Sequence, residues 1–341
     1  RRHLSPSALK CVMLFSAYLQ NAMTNTLTVI GNYLFGWTVI SLAVSWCLAL
    51  VYPLMLRSMA QSSAERASFF TLIYSLLAPL SAVFALIILS LPELAFPFIS
   101  EHCHDAICSP HTLHMTTDTV EGVLAGFVVV LMLSGFVVLM ARQLHRSRRH
   151  VKTLSGLSEA GSASYLVVES PHHMAWCAGF LKPQVFLSSG LVDVMDTRQL
   201  RLILAHERTH AFRRDNLRKW VLQWVTIAWP RGRKQRIRQN FSNYSEHICD
   251  LVAARCEKGV TELAQVIETL ATCNGDASKP MNSLDHHRQQ RIAALQRELH
   301  LQQGEGKQSY VKPAVFVACS WLIATMSAIH FGHPLLECLS R

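Results

Sequence analysis

The clearest capacity for chemistry in this chain lies in the run His206-Glu207-Arg208-Thr209-His210, where two histidines stand four residues apart and a glutamate follows the first. Side chains four apart project from one face of a helix, so both imidazoles can bind one metal ion, and zinc suits this donor set. Glu207 lies beside that face, placed to take a proton from water activated by the ion. Catalytic zinc usually has three protein ligands and an open position. Glu246 is the candidate third ligand, at the head of Glu246-His247-Ile248-Cys249-Asp250. Asp250 falls one turn after Glu246, where it could accept the free N–H of a ligand histidine and fix its tautomer. His247 is the rival ligand, but its side chain points about 100° away from Glu246 around the same helix. The chemistry is then hydrolysis, with His206, His210 and Glu246 as metal ligands, Glu207 as general base and Asp250 in support.

These residues need rigid elements to hold them. Asp196 and Gln199 stand three apart, as a helix N-cap and its capping-box partner do, before the apolar run Leu200, Ile203, Leu204. A helix is therefore expected from near Thr197, carrying the histidines about two turns in. The Ala-rich, apolar segment from Glu246 to Arg255 reads as a second helix. Tyr165 to Glu169 and Gln184 to Leu187 are short β-rich runs, with Gly179 and Pro183 punctuating the interval, so a small sheet is expected. Asn274 to Pro280 is a turn-rich break, and Arg288 to Leu301 has helical composition.

The rest of the chain has a different character. Of 341 residues, 50% are hydrophobic and 16% charged, with a net charge of +10 and a mean hydropathy of +0.23. A disordered chain has the reverse balance. Four stretches nearly free of charge, 33–56, 69–91, 122–141 and 313–331, are each long enough to cross a bilayer as a helix. Of the 32 Lys and Arg, 26 lie between Arg142 and Lys312 with 15 of the 22 acids, a block of +11. The loop 92–118 has no Lys or Arg. By the positive-inside rule the block 142–312 is cytoplasmic and the loop outer, which puts the N-terminus and the short tail 332–341 outside. Arg1, Arg2 and Lys10 run against that assignment. Residues 1–32 read as a helix lying at the interface. The fold class expected is a multi-pass α-helical membrane protein with four transmembrane helices and a cytoplasmic α+β zincin-like metalloprotease domain.

Ten cysteines carry no CxxC pairs. Cys103 and Cys108, five apart in the outer loop, could form a disulfide there, and nearby His102, His104, His111 and His114 leave a metal-sensing loop as the alternative to a solvated one. Arg231, Arg233, Lys234, Arg236 and Arg238 form a basic run that could bind nucleic acid. Following Trp220, Trp224 and Trp229, it suits an amphipathic helix resting on anionic lipid headgroups better, so the lipid bilayer is an expected partner and nucleic acid is not.

With these motifs in place, the chain resembles the BlaR/MecR-type membrane zinc metallopeptidases. The resemblance runs through Phe180-Leu-Lys-Pro183-Gln-Val-Phe-Leu187, Gly190-Leu191, Leu204-Ala-His-Glu-Arg-Thr-His210, Arg213-Arg214-Asp215-Asn216 and Glu246-x-x-Cys249-Asp250. It implies three spans, a cytoplasmic zinc protease domain and a fourth span, in the order read from hydropathy. It implies the same site assignments, a bacterial cytoplasmic membrane, and a protein substrate such as a transcriptional repressor or the protease itself. The family's penicillin-binding sensor domain has no counterpart after 331, so direct acylation by a β-lactam is not expected. An HtpX-type quality-control protease is the alternative enzyme. A non-catalytic membrane receptor or scaffold is the alternative of another class.

Overall fold

A computed structural model describes residues 6–91, 103–104, 107–108, 120–162, 165–256, 263, 265–266, 269, 289, 291–293 and 310–340. The described elements, in chain order, are α1 (Pro6–Ser58), α2 (Ala64–Ser90), β1 (Cys103–His104), β2 (Ile107–Cys108), α3 (Val120–Gly156), β3 (Ser158–Ser162), β4 (Tyr165–Val168), β5 (Ala175–Ala178), β6 (Gln184–Ser188), α4 (Ser189–Val194), α5 (Thr197–Arg213), α6 (Asp215–Val225), α7 (Arg231–Cys256) and α8 (Val311–Ser340).

Four helices are long and apolar enough to cross a membrane, over Tyr33–Ser58, Ala64–Ser90, Gly126–Gly156 and Val311–Phe331. Helix α1 runs unbroken from Pro6, so the segment expected at the interface joins the first apolar stretch without a boundary. By compact packing the chain divides into two units, one of 1–48, 77–138 and 319–341, the other of 49–76 and 139–318. In the first, α2 buries Ala78, Ala82 and Ala85, a small-residue stripe that lets helices approach closely. Pro79 cannot donate a backbone hydrogen bond, and its carbonyl accepts one from Trp37 Nε1 at 3.2 Å. In the same unit β1 pairs antiparallel with β2, Cys103 opposite Cys108. The other residues of the predicted outer loop, including His102, His111 and His114, and the break Asn274 to Pro280 lie outside the described residues.

The second unit carries a four-stranded sheet in the order β3-β4-β6-β5, with β4 and β6 parallel and the outer pairings antiparallel. The sequence reading found β4 and β6 and missed the edge strands, β3 being largely polar and β5 only four residues long. Strand β6 is buried on both faces at Val185, Phe186, Leu187 and Ser188, as befits a central strand. Val185 and Leu187 join Leu191, Met195, Leu202, Ile203 and Leu204 in one core cluster. That cluster clamps α5 against the sheet, and α7 packs on α5. Gly179, at φ 103°, turns β5 into β6, and a Cβ there would lie 2.8 Å from the Lys182 carbonyl oxygen and 3.2 Å from Val151 Cγ2. Glycine thus lets this turn close onto α3.

One expectation changes. Glu246 does not open the second helix, because α7 begins fifteen residues earlier, at Arg231. The basic run forms the first turns of α7. There Lys234 Nζ donates to the Ile227 carbonyl at 3.1 Å, while Arg238 Nε donates to Thr226 Oγ1 at 3.0 Å and its Nη2 to the Gln223 carbonyl at 2.6 Å. Cationic side chains so close to a helix N-terminus are unfavourable to its dipole, and these two are used to close the end of α6. Trp229 points inward, buried between Tyr52 and Tyr74, with ring centroids 6.0 and 6.4 Å away.

Candidate metal centre

Helix α5 starts where the sequence puts it. Asp196 is its N-cap, its Oδ1 accepting from the Arg198 and Gln199 amides at 2.8 Å each, and Gln199 Oε1 accepts from the Asp196 amide at 3.1 Å. With Leu202, Ile203 and Leu204 buried one turn ahead, His206 and His210 face α7 with ring centroids 4.9 Å apart.

Each imidazole is fixed at both nitrogens. His206 Nδ1 lies 3.0 Å from Asp250 Oδ1, and His210 Nδ1 lies 2.9 Å from Asp215 Oδ2. A carboxylate at Nδ1 requires that nitrogen to carry the proton, which leaves the Nε2 lone pair as the ligand atom. Both Nε2 atoms then turn to one carboxylate: His206 Nε2 is 3.5 Å from Glu246 Oε2 and His210 Nε2 is 3.6 Å from Glu246 Oε1. Ligand atoms bound to one tetrahedral zinc at about 2.0–2.1 Å stand roughly 3.3 Å apart. The two His–Glu separations are close to that edge, each made to a different oxygen of the carboxylate.

Glu207 is half-buried and near enough for its charge to act on His210 and Cys177. Glu246 lies against both histidines through its two carboxylate oxygens. Asp250 is 1% exposed and accepts two hydrogen bonds from Arg291, at 2.9 Å from Nε and 2.6 Å from Nη2. Lys219 Nζ sits 3.3 Å from Glu246 Oε1.

Sequence reasoning assigned no role to four of these neighbours: Asp215, Lys219, Cys249 and Arg291. Asp215 reaches His210 because Arg214 adopts φ 53°, a left-handed turn that ends α5 and starts α6 at once. That turn also lets Asn216 Nδ2 donate to the Cys177 carbonyl at 2.8 Å, tying α6 to β5. Cys249 offers a sulfur within 4.8 Å of ligand atoms of both histidines. Its Sγ lies 3.9 Å from Asp215 Oδ2, on the side of the supporting carboxylates, and burial pushes its thiol well above the ordinary range. Glu246 instead lies against the Nε2 atoms of both histidines.

Burial and hydrogen bonding pull in opposite directions on the charges of this site. Burial opposes ionisation of Glu246, but its hydrogen bonds to His206 and His210 outweigh that and hold it far below the usual carboxylate range. Asp250 is depressed in the same way, against burial, by His206 and Arg291. Burial disfavours imidazolium at both histidines, yet the carboxylate hydrogen bonds prevail and raise each from 6.5 to about 9. Without metal the histidines are therefore protonated at neutral pH. They stabilise the fold below about pH 6.5, and that contribution fades as the pH rises through about 9. Zinc must displace the Nε2 protons, so its uptake near neutral pH is expected to release protons and its affinity to climb towards pH 9. Titration calorimetry in buffers of different ionisation enthalpy checks this; uptake without proton release would contradict it.

Residues 139–255 match peptidase family M48, a stretch that runs from α3 through the sheet to the end of α7 and contains both histidines, Glu207, Glu246 and Asp250. This segment is thus similar to metallopeptidases of a family that is typically zinc-dependent. No curated protein and no solved structure matches the chain.

Proposed function

We propose that this protein is a membrane-embedded zinc-dependent endopeptidase of the bacterial cytoplasmic membrane. Its domain 142–312 faces the cytoplasm, its termini lie outside, and it cleaves a cytoplasmic or juxtamembrane protein. The observation that carries this reading is the convergence of two carboxylate-anchored imidazoles, through their Nε2 atoms, on Glu246. Bound zinc supplies Lewis acidity there, making a water acidic and polarising a peptide carbonyl. Glu207 accepts the proton of the attacking water and returns it to the leaving amine. Asp250 and Asp215 keep the imidazoles oriented, and Lys219 holds one oxygen of the Glu246 carboxylate.

The order of spans and the motifs shared with the BlaR/MecR-type proteins support a role in signal transduction, with a transcriptional repressor or the protease itself as substrate. Sequencing of new protein N-termini in the native host tests this, comparing the parent with His210→Ala. One dominant cytoplasmic cleavage lost in the variant is the expected result. Many lost cleavages in membrane proteins would point to the HtpX-type alternative. No difference would leave a receptor or scaffold.

A further inference from the structure

Beside α3 lies a second concave site, outside the metal centre and within the second unit, with a volume of about 630 Å³. One wall is a single face of α3, carrying Leu144, Arg148, Val151 and Lys152 at helical spacing; the other is the β5–β6 turn, with Phe180 and Lys182. No Asp or Glu lines it. None of the three cations makes an ion pair among the described residues, and all are exposed. At the floor Ser155 Oγ donates to Gln184 Oε1 at 2.6 Å, which leaves the Gln184 amide nitrogen to donate elsewhere.

The groove starts three residues after the last residue, Ala141, of the stretch read as the third span, on the same helix. An aromatic cluster stands beside its upper end. Phe180 packs on Trp220 with ring centroids 5.6 Å apart, and the Trp220 and Trp224 indoles donate to Gln143 Oε1 at 2.8 and 3.2 Å. Trp and other amphipathic rings collect at headgroup depth, and basic pockets on the cytoplasmic side hold lipid phosphates. We propose that this groove binds the headgroup of an anionic phospholipid. Its phosphate sits among Arg148, Lys152 and Lys182, and the start of its acyl chains lies against Leu144 and Phe180. The site pins the β5–β6 turn, and with it the edge of the sheet beside α5, to the membrane surface. This inference rests on α3 being a membrane span and is independent of proteolysis.

The test uses the full chain in phosphatidylcholine vesicles containing a minor share of phosphatidylglycerol, with the lipid retained after detergent extraction measured by mass spectrometry. The parent is expected to retain phosphatidylglycerol enriched about tenfold over the bulk, and Arg148→Gln/Lys152→Gln/Lys182→Gln to fall to the bulk ratio. The charge-keeping Arg148→Lys/Lys152→Arg/Lys182→Arg should retain it, which separates charge from folding. Arg142→Gln/Arg146→Gln/Arg149→Gln removes the same charge from elsewhere on the helix and should change nothing. Absence of enrichment, equal loss in that control, loss in the charge-keeping variant, or displacement by soluble glycerol phosphate would overturn the proposal. A parent that does not enter vesicles would overturn the span reading; an inserted parent without enrichment overturns only the lipid site.

Discussion

Glu207→Gln is expected to lower peptide cleavage by about 10²–10⁴-fold, the usual contribution of a positioned general base, while zinc stays bound in a one-to-one ratio. The change keeps shape and removes the proton acceptor. Glu207 makes none of the contacts that orient the ligands, which fall to Asp250, Asp215 and Lys219. Metal content and turnover therefore separate in this variant, whereas both fall together in His206→Ala or Glu246→Ala. Measuring zinc by atomic spectroscopy beside cleavage of the identified substrate checks the assignment; full turnover in Glu207→Gln would remove Glu207 from the mechanism.

The second large effect belongs to Asp250. Asp250→Ala is expected to weaken zinc binding by about 10–100-fold, the range for loss of a carboxylate behind a ligand histidine. It should also destabilise the domain by about 3–5 kcal/mol, because the largely buried Arg291 guanidinium loses its partner. The double change Asp250→Ala/Arg291→Met should recover much of the stability and none of the zinc affinity, since only the first effect runs through His206. Denaturant unfolding of the metal-free proteins and competition with a zinc indicator separate the two. A double variant as unstable as the single one would show that the cost is not the unpaired charge.

What the sequence showed of this site was what lies within a few turns of one helix. The spacing of His206 and His210, the cap at Asp196 and the pairing of Glu246 with Asp250 are local relations that helix geometry converts directly into shared faces. Asp215 was present in a quoted motif but had no role, because its approach to His210 depends on Arg214 taking a left-handed conformation that glycine usually supplies. Arg291 and Cys177 reach the site only through tertiary packing. The four apolar helices were legible because length and composition decide them. The start of α7 was misplaced, because a run of cations looks solvated unless one knows that Lys234 and Arg238 turn back onto the end of α6.

The bond from Arg291 to Asp250 spans 41 positions, and it sets a lower limit on how small a working piece of this protein can be. The stretch similar to family M48 ends at residue 255, so a fragment cut there would contain all three proposed metal ligands yet leave Asp250 without its two hydrogen bonds from the guanidinium. The proposed metal centre thus depends on a residue that lies beyond the matched stretch.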